Sequence, residues 1–171
     1  NNIRLAASDD TRITTLAGSA GLGGGAGVGG AVAVNVITKD TKAEIGNGAQ
    51  VDAKAAGSDK ITAYDNQQNG TSRTNKQIQG LSVEATSTEN IFDVAASGAA
   101  GLFAGVAGAA AVNVMTVDTT AHIGGANINL DRSGVGAAQA VNVSAIDDSK
   151  IFSVGGSAAG GAVGVSGGID V

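Results

Sequence analysis

Along most of the chain, apolar residues recur at every second position rather than at the 3.6-residue period of a helix. In Gly30-Ala31-Val32-Ala33-Val34-Asn35-Val36-Ile37 the valines alternate with small or polar side chains, and Val112-Asn113-Val114 and Val141-Asn142-Val143 repeat the alternation. Period two predicts strands with the branched face turned inward. Shorter runs such as Ala43-Glu44-Ile45, Gln50-Val51-Asp52, Ile61-Thr62-Ala63 and Ile128-Asn129-Leu130 are separated by Gly, Asn, Asp and Ser clusters that supply turns. Many short strands about ten residues apart predict an all-β coil.

The pattern repeats. Leu5 to Ser19, Val83 to Ser97 and Val143 to Ser157 align without gaps, at offsets of 78 and 60. The first offset persists from Val34-Asn35-Val36 to Val112-Asn113-Val114, and Ile169-Asp170-Val171 echoes the same triplet in a third copy. The units run approximately over 5–82, 83–142 and 143–171, the third incomplete. Repeats of this length predict one segment over 1–171: a parallel β-helix, or solenoid, with Gly/Ala-rich coils, about three per unit. The first unit carries about 22 extra residues after Ile61-Thr62-Ala63-Tyr64-Asp65, which read as about one additional coil, since each layer of a solenoid contacts mainly its neighbours. Asn66 to Gln77 has no apolar residue and reads as an exposed loop within that insert. The chain reads as an excerpt of a larger protein, cut within repeats and so lacking caps, and end-to-end association follows from its open strand edges.

Runs of Gly, Ala and Ser precede the valine strands, and no charge occurs between Arg12 and Lys39, Asp93 and Asp118, or Lys150 and Asp170. Side chains this small let another backbone approach closely. Gly25, Gly27, Ala31, Ala33, Gly105, Ala109, Ala111, Gly161 and Gly164 therefore form a candidate interaction face. Three uses stay open for it: packing within the chain, lateral contact between molecules, and membrane insertion. For insertion, Ala95 to Val112 is uncharged and carries Gly101 and Gly105 at GxxxG spacing. Against it, Gly and Ala insert weakly and each run ends in strand alternation.

Composition narrows the chemistry. A net charge of −5 excludes a basic nucleic-acid footprint. With 28 Gly, 2% aromatics and no Trp, a core of large side chains is not expected. There is no Cys, so neither disulfides nor thiolate metal sites arise. Gly25 to Gly30 spells GxGxxG but continues as a strand, not a helix, and no P-loop is present. His122, the one histidine, occupies the slot of Glu44 and reads as an outward strand position, lacking the partners of a triad or zinc site. Asp9-Asp10 and Asp147-Asp148 occupy equivalent slots, with Ser87-Thr88 in the middle copy. They read as turn residues, with a weak Ca²⁺ site as the alternative. Asn35, Asn113 and Asp170 share a slot that stacks into a polar ladder or faces solvent. Asn69-Gly70-Thr71 and Asn142-Val143-Ser144 match the glycosylation pattern, which is frequent by chance. No cofactor and no catalytic residue is expected, and an enzyme is the least favoured class.

Gly27 to Val51, its copy Gly105 to Ile128, and Val143 to Gly167 together resemble the repetitive passengers of Gram-negative surface exoproteins, especially the leukotoxin-like filamentous adhesins. The resemblance covers nearly the whole chain and implies secretion through an outer-membrane partner, a β-helical shaft, and adhesion or cytotoxicity. The expected function is a structural or adhesive segment of a secreted or surface-anchored bacterial fibre, extracellular or on the cell surface. Its partners would be a host or neighbouring cell surface, or copies of itself, through weak multivalent contact. The alternatives are a membrane-active cytotoxic segment, with membrane contact not favoured, and a self-assembling matrix or fibre protein. An ice-binding β-helix is remote, because regular TxT ladders are missing.

Overall fold

The computed structural model describes residues 1–69 and 72–171. Among the described residues the chain is all-β, with no helix. The strands are β1 (Ile3–Gly23), β2 (Ala26–Ile45), β3 (Gln50–Val51), β4 (Ile61–Asn69), β5 (Ser72–Gly101), β6 (Ala104–Ile123), β7 (Asn127–Ile128), β8 (Gln139–Gly160) and β9 (Val163–Asp170). One sheet joins β1, β5 and β8, with β4 also on β5; a second orders β2, β6 and β9; a third pairs β3 with β7. Pairing is parallel between β6 and β9 and between β3 and β7. β3, β4, β7 and β9 are short, as expected, whereas β1, β2, β5, β6 and β8 run for twenty residues or more, because the two-residue parity is not broken by the polar residues within them. Ala95 to Val112 belongs to β5 and β6, with a turn at Leu102 and Phe103, so its GxxxG spacing lies on strands.

Two compact units share these strands. The first comprises Asn1–Asp10, Lys39–Thr88 and Val117–Asp148. Its core is Ala43, Ile45, Ala53, Leu81, Val83 and Ala85, with Val51, Ala121, Ile123 and Ile128 packed against it. Residues 81–87 of β5 are buried on both faces. One face meets the core; the other carries polar side chains that bond to neighbouring segments. Glu84, fully buried, accepts hydrogen bonds from Arg4 Nε (2.8 Å), Tyr64 N (2.8 Å) and Ser82 Oγ (2.8 Å).

The insertion accounts for part of that cover and is not an additional coil. It forms an antiparallel hairpin of β4 on the start of β5, with Ile61 opposite Ile78 and Tyr64 opposite Asn75. Arg73 Nη2 donates to Ser87 O (2.9 Å) and Thr88 Oγ1 (2.6 Å), and its guanidinium stands 6.0 Å from the Tyr64 ring centroid. The physical reason is composition: Asn66 to Gln77 offers no apolar side chain for a coil's inner face, whereas a polar hairpin satisfies its groups against polar neighbours. The expected loop is therefore strand up to Asn69 and from Ser72.

A tight turn in the same unit carries a pH prediction. Asp131 accepts from Ser133 Oγ (2.6 Å), Lys54 Nζ (2.9 Å) and Ser133 N (2.9 Å), and these bonds hold its carboxyl far below the ordinary carboxylate range. A depressed folded-state value stabilises the fold above the unfolded carboxylate range near 3.9, and that contribution is lost on further acidification. A ¹³C-detected titration is expected to show Asp131 still ionised at a pH where Asp in an unstructured peptide is protonated.

The second unit comprises Thr11–Thr38, Glu89–Thr116 and Ser149–Val171. Its core is small: Ala33, Ala95, Ala109 and Ala111, with Ala17 against them. Here the valine strands depart from expectation. Val32, Val34 and Val36 are 67%, 57% and 71% exposed, while Ala33 is 2% exposed. On β2 the small Ala31 and Ala33 face inward and the valines face out, with Ile37 buried at the inward parity. The third copy also sits two positions from its expected place: β9 pairs Asp170 with Ala111, and Val171 N donates to Ala111 O (3.0 Å). That register stacks Gly164 on Gly105, where both lie tight against the facing layer.

Candidate functional site

Glycine sets the spacing of the two layers in the second unit. A Cβ on Gly27 would stand 2.3 Å from Ala100 O, on Gly29 2.3 Å from Gly98 O, on Gly105 2.4 Å from Gly160 O, and on Gly155 2.3 Å from Ile169 O. Backbone therefore faces backbone across the interior, closer than the roughly 10 Å of ordinary packed sheets. Of the nine residues expected to form an interaction face, Gly27, Ala31, Ala33, Gly105, Ala109 and Ala111 are buried. Gly25, Gly161 and Gly164 are exposed. Gly25 lies at the turn before β2, where its carbonyl accepts from Phe103 N (2.9 Å).

The outward surface is built by the other parity. On β2 it presents Val28, Val32, Val34 and Val36; on β6, Val106 and Val114; on β9, Val163, Val165 and Ile169, all exposed. These strands are neighbours in one sheet, so the side chains form an apolar face interrupted by glycines. On β5 and β8 the outward residues include Phe92 and Phe152, whose rings stack with centroids 5.2 Å apart and 7° between planes. Branched and aromatic side chains on such a face offer contact area without hydrogen-bonding specificity. Shallow grooves border it, one of about 350 Å³ lined by Gly30, Val32, Gly108, Ala110, Gly167 and Ile169 among others. The valines were missed as surface because they were assigned to the core. Their signal was parity, since they share even numbering with Asp40, Lys42 and Glu44 on the same uninterrupted strand.

The remaining candidate residues separate. Asp9, Asp10, Asp147 and Asp148 lie within β1 and β8, not in turns. Lys39 Nζ sits 2.5 Å from Asp9 Oδ1. Among the described residues, no group of three or more His, Cys, Asp and Glu is placed to hold a metal ion. Bonds from Thr86 to Ser8 and from Asn142 to Ser82 fix offsets of 78 and 60, placing Ser87 of β5 between Asp9 and Asp147. His122 and Glu44 are both exposed on their strands. Gly25 to Gly30 passes directly into β2, so its GxGxxG has no helix to open. Asn142 is buried, with Nδ2 on Ser82 Oγ (3.2 Å), which leaves no room for a glycan. Asn69-Gly70-Thr71 extends outside the described residues.

The amide slot forms a polar file. Thr15 Oγ1 donates to Asn35 Oδ1 (2.8 Å), Asn35 Nδ2 to Asn113 Oδ1 (2.9 Å), Asn113 Nδ2 to Ser153 Oγ (3.0 Å), and Ser153 Oγ to Asp170 Oδ1 (2.6 Å). Each donor meets the next acceptor along one line, so the amides crosslink the layers and the neighbouring strands.

No protein-family model, curated protein or solved structure matches the chain.

Proposed function

We propose that the chain is a segment of a parallel β-helix that serves as a structural and adhesive part of an extracellular bacterial fibre. The observation that carries this reading is the repeated outward apolar face, with valines at the same parity on β2, β6 and β9. The solenoid reading is supported by the order of the strands. Two passes visit the three sheets in one sequence, from β1 through β2 to β3 and from β5 through β6 to β7, and a third begins the same sequence from β8 to β9. Contact through such a face is weak per side chain and gains strength by repetition. It fits an apolar or mixed surface, such as a neighbouring cell envelope or another copy of the fibre.

The test is adsorption of the whole chain to hydrocarbon-coated and hydrophilic sensor surfaces, and to cells, before and after the triple change Val32→Thr, Val34→Thr, Val36→Thr. Threonine keeps the β-branched shape, so melting temperature is expected to move by no more than about 2 °C. Adsorption to hydrocarbon and to cells is expected to fall at least about tenfold. Unchanged adsorption by the folded triple variant would place the contact elsewhere. Helix gain and dye release with liposomes would instead favour a membrane-active segment; among the described residues no helix is long and apolar enough to cross a membrane.

A further inference from the structure

Three turns of the second unit stack at one end of its strands. They join β1 to β2 at Gly24-Gly25, β5 to β6 at Leu102-Phe103, and β8 to β9 at Gly161-Ala162. Their backbones bond to one another: Phe103 N donates to Gly25 O (2.9 Å), Ala162 N to Leu102 O (3.4 Å) and Val163 N to Phe103 O (3.0 Å). Glycine permits the close approach, since a Cβ on Gly101 would stand 2.9 Å from Gly25 O and one on Gly161 2.7 Å from Gly101 O. The large side chains at these turns are left outside. Leu22, Leu102, Phe103 and Val163 are 86%, 74%, 72% and 62% exposed. Beside them a cleft of about 610 Å³ is walled by Leu22, Leu102, Ala100 and glycines, with no charged side chain. The charged residue nearest to any of the three turns along its strand is Asp170, seven residues beyond Val163, or about 23 Å.

We propose that this tip docks on a lipid surface, setting Leu22, Leu102, Phe103 and Val163 into the boundary between headgroups and acyl chains while the strands stay folded. Backbone groups without partners are costly in lipid, and these turns spend theirs on one another. A charged side chain is costly there too, and the tip has none. A second copy of the chain fits less well, because four large side chains fall far short of the roughly twenty residues a side that a stable protein interface uses. Lipid asks for no matching shape, and apolar side chains enter it in proportion to their area. With no cation at the tip and a net charge of −5, the attraction is apolar and owes nothing to anionic headgroups. The contact needs no helix and is separate from the outward valine face.

The experiment uses the complete 171-residue chain, which has no Trp. Phe103→Trp supplies a single reporter at the tip, and Phe152→Trp one placed eight residues before Gly160, about 26 Å back along β8. With phosphatidylcholine vesicles, emission from Phe103→Trp is expected to shift to the blue and to be quenched by brominated acyl chains, while Phe152→Trp stays unmoved and circular dichroism stays β. Adding phosphatidylserine is expected to give no tighter binding. The pair Leu102→Ser, Phe103→Ser changes only exposed turn positions, so Tm is expected to move by no more than about 2 °C and partitioning in vesicle flotation to fall at least about tenfold. An unmoved Phe103→Trp, or a folded double-serine variant that floats like the parent, overturns the proposal. So does flotation lost in the Val32, Val34, Val36 triple variant but kept in the double-serine one, which assigns the contact to the valine face. A blue shift that grows with protein concentration without vesicles assigns the tip to a second copy and also overturns it. If the double-serine variant does not fold, bromolipid quenching of Phe103→Trp decides: quenching supports lipid docking and its absence rejects it.

Discussion

Replacing Gly105 by Ala is expected to destabilise the chain by about 3 kcal/mol, while Gly30→Ala, the same chemical change on a neighbouring strand, is expected to stabilise it by about 0.5 kcal/mol. The difference lies in what the new methyl meets. At Gly105 it would stand 2.4 Å from Gly160 O and 3.0 Å from Ala99 O, both backbone atoms that cannot rotate away. The layers must part, and the contacts of Ala109 and Ala111 loosen with them. At Gly30 nothing lies within 4 Å, so the methyl only reduces the conformational freedom of the unfolded strand. Urea unfolding of the two variants beside the parent reads the sign directly. Equal effects at both positions would mean that the layers are not held at glycine distance.

Arg4→Ala is expected to cost about 3 kcal/mol, at the low end of what breaking a buried ion pair costs. Arg4 Nη2 lies 2.7 Å from Glu84 Oε2, and the Glu84 side chain has no solvent exposure. Without the guanidinium, Tyr64 N and Ser82 Oγ remain on Oε1, and Oε2 is left charged in a dry setting. The cost stays at the low end because Arg4 itself is 43% exposed, so water reaches part of the vacated space. Adding Glu84→Gln to Arg4→Ala is expected to recover more than half of the loss, since the stranded charge is the main penalty. A double-mutant cycle by chemical denaturation measures the coupling. Additive losses would show that the pair is not coupled.

Much of this fold was legible in the sequence, and the misreadings have physical causes. Period two was enough for strands, and the offsets of 78 and 60 between copies recur as hydrogen bonds from Asn35 to Asn113 and from Ser149 to Glu89. Hydrophobicity is a false sign of the interior on the valine runs of β2, β6 and β8, although it holds for Ala43 and Ile45. In a core this thin, size outranks hydrophobicity: a valine between layers at backbone distance has nowhere to go, so Ala and Gly take the inside and Val the outside. The extra residues of the first unit were visible as an insertion, but their pairing on β5 was not, because hairpin and coil differ only in where a polar strand finds its partners. Asp93 gave no signal by itself. It lies fully buried on β5, with neither carboxylate oxygen hydrogen-bonded.

The middle strand between Asp9 and Asp147 has a consequence for how the chain chooses its neighbours during folding. Copies this similar invite misassembly, with β8 docking on β1 and skipping β5. In that arrangement Asp9-Asp10 would lie beside Asp147-Asp148, four carboxylates on adjacent strands and a repulsion that sheets tolerate poorly. Ser87 and Thr88 act as a neutral spacer, so only the native order keeps the acidic pairs one strand apart. In the native strand order the neutral Ser87 and Thr88 of the central copy thus stand between like charges that would otherwise face one another.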